Sequence, residues 1–286
     1  MRVLLTRGTG LIGTATLAAL LDSGHEVVAV VRSSESAAKV SAAGATAVIG
    51  DLTDRDWLGA QLRHVDGAIH LATDNAGPAL DDAVVDAVIT AFGPTDKPYV
   101  HTGGIWVWGS AADISEDDAQ NPPAITAWRA GPEGRILGSD VKATLIAPGI
   151  VYGPGGHGIP SLLADGPRDA SGALELIGSG EQHWTTVAVG DLAELYVIAL
   201  ERSDGHTTYI GANGQNPTVR ELGEAIVGSS GSVTSGTVES AHERLGEAFA
   251  DALLLDQQAR GTKARSELGW EPNARSLVAE LTAARG

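Results

Sequence analysis

The chain has no cysteine, which excludes disulfides, thiolate metal centres and a cysteine nucleophile. Lysine is nearly missing too, standing only at Lys39, Lys97, Lys142 and Lys263. Aromatic residues make up 4% of the 286 positions, so any clustering of them is informative. No apolar run approaches the ~18 residues of a membrane span. The chain enters "RVLLT" without a basic segment, apolar core and small-residue cleavage site, so the expectation is a cytoplasmic protein without a secretory leader. Positive charge is scarce overall: 19 Lys and Arg against 36 Asp and Glu give a formal charge of −17. Phosphate backbones are held by clustered Lys and Arg, and no such cluster occurs here. The expected partner is therefore a small hydrophobic metabolite, with no nucleic acid and no membrane.

What is present is a regular alternation. "RVLLT", "EVVAVV", "ATAVIG", "GAIHLA" and "PYVHTGG" read as strands, with helical spacing in "TATLAALLDSG" and "ALDDAVVDAVITAFG". Near-continuous Val, Ile and Leu runs indicate strands buried on both faces, as in parallel sheets. "ATLIAPGIVYG" reads as a sixth strand running into a glycine-rich loop, followed by "ALELIG", a helix "DLAELYVIALERS" and a strand "TTYIGA". "PTVRELGEAIVG" is a helix in which Thr218 and Glu221 have capping-box spacing. The expected fold class is α/β: a doubly wound, Rossmann-like parallel sheet with a smaller C-terminal substrate-binding region. Residues 1–150 and 185–203 are assigned to the nucleotide-binding core, and residues 151–184 and 204–286 to the cap.

"LLTRGTGLIG" contains Gly8-x-Gly10-x-x-Gly13, the literal form of a dinucleotide fingerprint. The motifs around it give a different register. By "GTGLIG", "VIGDLTD", "AIHLA", "PGIVYGPGG", "VGDLAELYVIALE" and "SELGW", in family order along nearly the whole chain, the sequence resembles the extended short-chain dehydrogenase/reductase superfamily. It is most similar to NAD-dependent epimerase/dehydratase-like proteins. The resemblance places Gly10 and Gly13 at the second and third glycine positions, with Leu11 and Ile12 between them. Gly8 then falls at a variable position and Arg7 where the first glycine belongs. Asp51 and Leu52 match the adenine-contacting pair, and Leu71, Ala72 and Thr73 the stretch beside the ribose. Arg32 ends the second strand where an acidic residue would bind ribose hydroxyls, which favours NADP(H) over NAD. A guanidinium at position 7 can fill the pyrophosphate site or pair with phosphate; occlusion or weakened cofactor binding is the expectation.

The catalytic half departs from the superfamily. Its hydride chemistry rests on Tyr-x-x-x-Lys plus a Ser or Thr. The residues four beyond Tyr99, Tyr152, Tyr196 and Tyr209 are Gly103, Gly156, Leu200 and Asn213. In "TAWRAGPEGRIL", Trp128 or Arg129 takes the tyrosine's place and Pro132 or Glu133 the lysine's. Gly131, Pro132 and Gly134 are expected to weaken or shift the helix there. "HTGGIWVWG" offers Gly103 and Gly104 at the hydroxyl position, with Thr102 adjacent. Further departures stand at Ala147, Ala188 and Gly190.

Several side chains could replace that chemistry. Trp106, Trp108, Trp128 and Trp184 fall in segments expected to surround the substrate, together with Tyr152 and His183; indoles there would form an apolar wall. His101, Thr102, Arg129, Glu133 and His157 are the candidate acid, base or polarising groups. No His, Asp or Glu spacing matches a metal site, and no Gly-x-Ser-x-Gly elbow occurs. Three functions fit. The sequence favours non-redox cyclisation, isomerisation or elimination on a hydrophobic, polyketide-like substrate. An NADP(H)-dependent reductase or epimerase with an unorthodox proton donor comes second, and a nucleotide-sensing regulator third. The resemblance also implies a homodimer, which the Gly/Pro-interrupted helix leaves open.

Overall fold

Runs that are apolar on both faces have no place at a surface, and in the computed structural model they form the interior of a seven-stranded sheet. The structure describes residues 1–73, 77–153 and 158–284. The first half reads β1 (Arg2–Thr6), α1 (Leu11–Asp22), β2 (Glu26–Val31), α2 (Ser34–Ala42), β3 (Thr46–Ile49), α3 (Arg55–Arg63), β4 (Gly67–His70), α4 (Ala79–Phe92) and β5 (Pro98–Thr102). A 3-10 turn (Ile105–Trp108), β6 (Ala111–Ile114), a second 3-10 turn (Ala127–Arg129), α5 (Ala130–Leu137) and β7 (Lys142–Pro148) follow. Next come β8 (Ile150–Tyr152), α6 (Ile159–Ala164), β9 (Leu174–Glu175), β10 (Thr186–Ala188), α7 (Val189–Arg202), β11 (Thr207–Gly211) and α8 (Val219–Val227). The chain closes with β12 (Val233–Thr234), α9 (Val238–Leu245), α10 (Glu247–Leu253), β13 (Gln257–Ala259), α11 (Thr262–Leu268) and α12 (Leu277–Ala283).

The sheet order is β11-β7-β5-β4-β1-β2-β3, with every pair parallel. Right-handed crossovers put α1 and α7 on one face and α3, α4 and α5 on the other, each closing a separate apolar cluster. The direction of winding reverses between β1 and β4. Ligands of open α/β sheets sit at that point, beyond the carboxyl ends of the strands. A third cluster, around Ile177, Trp184 and Leu222, is the core of the cap.

Three local expectations change. "ATLIAPGIVYG" is two strands, because the chain leaves the sheet at Gly149; a Cβ there would stand 2.6 Å from the carbonyl oxygen of Thr185. That close approach lets Ile150 donate to Thr185 and start the β8–β10 pair. Residues 207–211, assigned to the cap from sequence, form the edge strand β11 of the central sheet. The segment around Trp270 also returns to the core: the indole is fully buried and donates to the carbonyl of Asp191 at 2.8 Å. Helix α5 forms despite its Gly and Pro residues. Pro132 is its third residue, where a backbone N–H has no intrahelical acceptor to lose. The capping box is present, with Glu221 N–H donating to Thr218 Oγ1 at 3.1 Å and Thr218 N–H to Glu221 Oε2 at 2.8 Å. Among the described residues no helix is long and apolar enough to cross a membrane.

Candidate functional site

Between β1 and α1 the backbone must reverse within a few residues. Arg7 does so at φ 55°, in the left-handed region that glycine enters without steric cost. A Cβ on Gly13 would collide with the Arg7 carbonyl oxygen, so α1 packs on the turn through bare backbone. A Cβ on Gly10 would stand 3.1 Å from Arg7 Nε, so the arginine stem already fills the space over that residue. Gly8 has no such constraint: the nearest atom to a Cβ there is Val40 Cγ1 at 3.5 Å. The α1 N-terminus has no side-chain cap and no acidic residue in its first turn, leaving its N–H groups open to an anion. Arg7 Nη1 donates to the carbonyl of Thr73 at 2.9 Å, so its guanidinium bridges this turn and the segment after β4.

From this turn a cleft of about 440 Å³ runs along the carboxyl ends of the strands. Gly10, Leu11, Ile12, Gly13, Leu71 and Thr73 line it at the nucleotide end, with Arg7. Thr102, Gly103, Gly104, Trp106, Trp128 and Arg129 line the far end, joined by Ile125, Ile150 and Phe249. Phe249 meets Trp106 edge to face, with ring centroids 6.0 Å apart. The Arg129 guanidinium lies over the Trp128 ring at 4.7 Å, and its Nη1 donates to the carbonyl of Thr102 at 3.1 Å.

The other expected residues are placed elsewhere. Gly8 and Leu52 are packed in the core, Ala72 donates its N–H to Thr6 Oγ1 at 3.0 Å, and Arg32 is exposed beyond β2. Asp51 is exposed and closes an Asx turn: hydrogen bonds from the Thr53 backbone and hydroxyl hold its carboxyl below the usual range. Trp108 is buried with Ile114 and Ala147 and does not line the cleft. Trp184 is buried in the cap core and donates to the carbonyl of Leu253 at 2.9 Å. His183 pairs instead with Asp256 at 2.8 Å. Tyr152 donates to the carbonyl of Arg275 at 2.6 Å, and burial pushes its phenol up to about 12. His157 lies outside the described residues. The tryptophan cluster of the sequence thus reduces to Trp106 and Trp128 in the cleft.

His101 is likewise not in the cleft. Side chains alternate across a strand, so Thr102 faces the ligand side while His101 and Tyr99 face α4. The fold brings His101 to His70 and Asp81, a group that sequence spacing did not reveal. His101 Nε2 is 3.2 Å and His70 Nε2 3.8 Å from Asp81 Oδ1, and one ligand atom from each lies within 4.8 Å of the others, as a metal would require. Proton accounting at His70 opposes that use. Thr6 Oγ1 already accepts from the N–H groups of Leu71 and Ala72, so its own proton goes to His70 Nδ1 at 3.1 Å. Tyr99 OH and His101 Nδ1 are hydrogen-bonded at 2.8 Å. His70 then carries its proton on Nε2, but neither imidazole Nε2 meets hydrogen-bond geometry with the carboxylate, and both, with Asp81 Oδ2, are buried without a partner. Burial, reinforced by His101, holds His70 neutral down to about 3. Burial opposes ionisation of Asp81, but the two imidazoles and Arg129 beside it outweigh that and hold the carboxyl below the usual range.

Glu133 sits behind Gly103: a Cβ on that glycine would be 3.0 Å from Glu133 Oε1. Burial pushes its carboxyl up, against the pull of His101 and Arg129. Thr102 Oγ1 donates to the carbonyl of His70 at 2.7 Å, so Tyr196 OH is the donor in their 2.8 Å bond. The Thr102 hydroxyl proton is therefore committed, and the oxygen can only accept. The cation facing the cleft at this end is Arg129.

A family model described as NAD(P)H-binding matches residues 8–102. An uncharacterized protein of Schizosaccharomyces pombe is 29% identical over 98% of each chain. A 2-alkyl-3-oxoalkanoate reductase of Stenotrophomonas maltophilia is 25% identical over 81% of this chain and 76% of that protein. The human epimerase family protein SDR39U1 is 26% identical over 79% of each chain. Its structure with NADPH superposes at a TM-score of 0.71, with 22% identity and 99% and 98% coverage. That of MoeE5 in complex with UDP-glucose and NAD gives 0.76, with 20% identity and 100% and 99% coverage. Strand order, the glycine turn, the matched NAD(P)H-binding region and these relatives agree: residues 8–102 form an NAD(P)H-binding domain, and the chain as a whole is similar to NAD-dependent epimerase/dehydratase-like proteins of the extended short-chain dehydrogenase/reductase superfamily, whose fold it shares.

Proposed function

We propose that this protein is an NADP(H)-dependent oxidoreductase acting on a carbonyl or hydroxyl carbon of an apolar metabolite. The observation that carries the reading is the continuity of the cleft, from the uncapped N-terminus of α1 to the wall of Trp106, Trp128 and Phe249. The residues present fit a dinucleotide. Bare backbone at Gly10 and Gly13 and the open α1 N–H groups would take the pyrophosphate, with Arg7, which spends Nη1 on Thr73, directing its other donors to the same charge. Arg32 beyond β2 would take the ribose 2′-phosphate.

When bound, the nicotinamide supplies or accepts a hydride. The chain's own part differs from the tyrosine-lysine arrangement. Arg129 holds negative charge on the substrate at the far end of the cleft, where a guanidinium fixed by Trp128 and by the Thr102 carbonyl needs little reorganisation. Thr102 accepts a hydrogen bond from the substrate hydroxyl. Since no tyrosine lines the cleft among the described residues, the proton that completes a reduction comes from solvent. The 2-alkyl-3-oxoalkanoate reductase relative adds support for an oxo substrate with an alkyl body.

One observation favours the non-redox reading, in which cyclisation, isomerisation or elimination needs only shape and polarisation. The Arg7 side chain crosses the turn where the cofactor phosphates would lie. Calorimetric titration with NADPH separates the two. On the oxidoreductase reading the wild type binds NADPH, and Arg7→Gly weakens binding about tenfold. A wild type that binds no NADPH, with affinity appearing in Arg7→Gly, establishes the non-redox reading. Tight binding without turnover of any carbonyl panel points to a nucleotide sensor.

A further inference from the structure

The cleft is electrostatically unlike the rest of the chain. Acidic residues outnumber Lys and Arg by 36 to 19, yet the described cleft lining holds two arginines and no carboxylate. Arg7 belongs to the nucleotide end. Arg129 stands among the apolar groups at the other, with its side chain only 13% exposed. Glu133 forms an ion pair with it at 3.8 Å from behind Gly103, but this is beyond hydrogen-bond reach, and Glu133 Oε1 has no hydrogen-bond partner. The hydrogen bond that Arg129 does make goes to a neutral carbonyl. A nearly buried cation without a hydrogen-bonded counter-ion is costly, and a bound anion would relieve that cost.

We propose that the substrate is an apolar carboxylate whose anionic head is held by Arg129 and whose alkyl body lies against Trp106, Trp128, Ile125 and Phe249. Planar guanidinium groups grip carboxylates through two parallel N–H donors, and the stacked Trp128 fixes the plane of this one. A nucleotide sugar, also anionic, fits less well. Its hydroxyls need polar side chains, whereas the Thr102 hydroxyl proton is committed to the His70 carbonyl and Thr126 donates to the carbonyl of Pro123. This inference names the substrate class of the oxidoreductase proposed above and takes the cleft as its substrate site.

The test needs no cofactor and no turnover. The wild type is titrated at pH 7.5 with octanoate, with its neutral isostere octanamide and with UDP-glucose, by calorimetry and by quenching of tryptophan fluorescence. Octanoate is expected to bind at least tenfold tighter than octanamide, about 1.4 kcal/mol. The preference should vanish in Arg129→Met, which keeps the apolar stem, and survive in Arg7→Met. Equal affinity for octanoate and octanamide overturns the proposal, as does a preference that follows Arg7, or UDP-glucose binding tighter than octanoate. Should Arg129→Met fail to fold, the wild-type ratio of octanoate to octanamide still decides. A protein that prefers octanoate but does not bind NADPH retains this substrate class and loses the oxidoreductase reading. NADPH-dependent turnover with no preference between acid and amide does the reverse.

Discussion

At the β1–α1 end the cleft is built of main chain; at the β5–α5 end it is built of side chains. The first end keeps its shape although Arg7 stands where the superfamily has glycine, because the turn needs a left-handed φ and a bare Gly13, and both are present. At the second end, the Tyr-x-x-x-Lys spacing is occupied by Arg129 and Glu133, and the hydroxyl position by Gly103. Backbone geometry tolerates exchange of a side chain that points outward. A proton relay does not survive exchange of its members. The nucleotide half of this fold is therefore inherited as a shape, and the catalytic half has to be read from its own residues.

Gly13→Ala is the hardest blow to that comparison. Its methyl group would collide with the Arg7 carbonyl in a turn that cannot shift without moving α1 off the sheet. The expected cost is about 3 kcal/mol, read from urea denaturation, together with loss of NADPH binding. A stable Gly13→Ala protein that still binds NADPH would mean that the turn is plastic, and that its survival says nothing about use.

Beneath the β5 end, the buried imidazoles give a pH signature that the nucleotide end lacks. His70 is neutral in the folded protein down to about 3, while an unfolded histidine takes its proton near 6.5. Unfolding therefore takes up a proton below about pH 6.5: this stabilisation is complete above that value and is lost as the pH falls toward 3. The slope reaches at most ~1.4 kcal/mol per pH unit. His101, Asp81 and Arg129 face His70. Asp81, held low, acts in the same direction only below about 4, and Glu133, held high, acts in the opposite one. Urea midpoints at pH 7, 6 and 5 should fall in the wild type and fall less in His70→Gln. Parallel lines for the two proteins would remove His70 from the account.

The sheet was legible because strands buried on both faces leave unbroken Val, Ile and Leu runs, and the capping box because its two residues are close in sequence. Helices α2 and α3 went unread although each has a cap, Ser33 accepting from Ser36 N–H and Asp54 from Trp57 N–H. "SESAAKVSA" and "RDWLGAQLR" are short and bury few residues, Val40 in the first and Leu58, Gly59 and Leu62 in the second, so neither carries the long apolar run that marks α1 and α4. The histidine pair did leave a trace: "GAIH" and "PYVH" end alike, and His70 and His101 are register partners in adjacent strands. Asp81 left none, because α4 meets them only through packing. Trp108 and Trp184 were grouped with the cleft because sequence proximity does not show which way a side chain turns.

The smallest expected effect separates the two glycine registers of the opening motif. On the literal Gly8-x-Gly10-x-x-Gly13 reading, Gly8 is the invariant first glycine and a methyl group there is ruinous. The structure gives Gly8 no left-handed φ, and the nearest neighbours of a Cβ would be Val40, Leu5 and Ala29 at 3.5 to 3.7 Å, ordinary contact distances. Ala at such a site loses fewer unfolded conformations than Gly does, a gain of up to ~1 kcal/mol that offsets any tightness. Gly8→Ala should therefore leave the urea midpoint within about 0.5 kcal/mol of wild type and leave NADPH affinity unchanged. A loss as large as that of Gly13→Ala would restore the literal fingerprint, and with it Arg7 to an ordinary residue beside the turn.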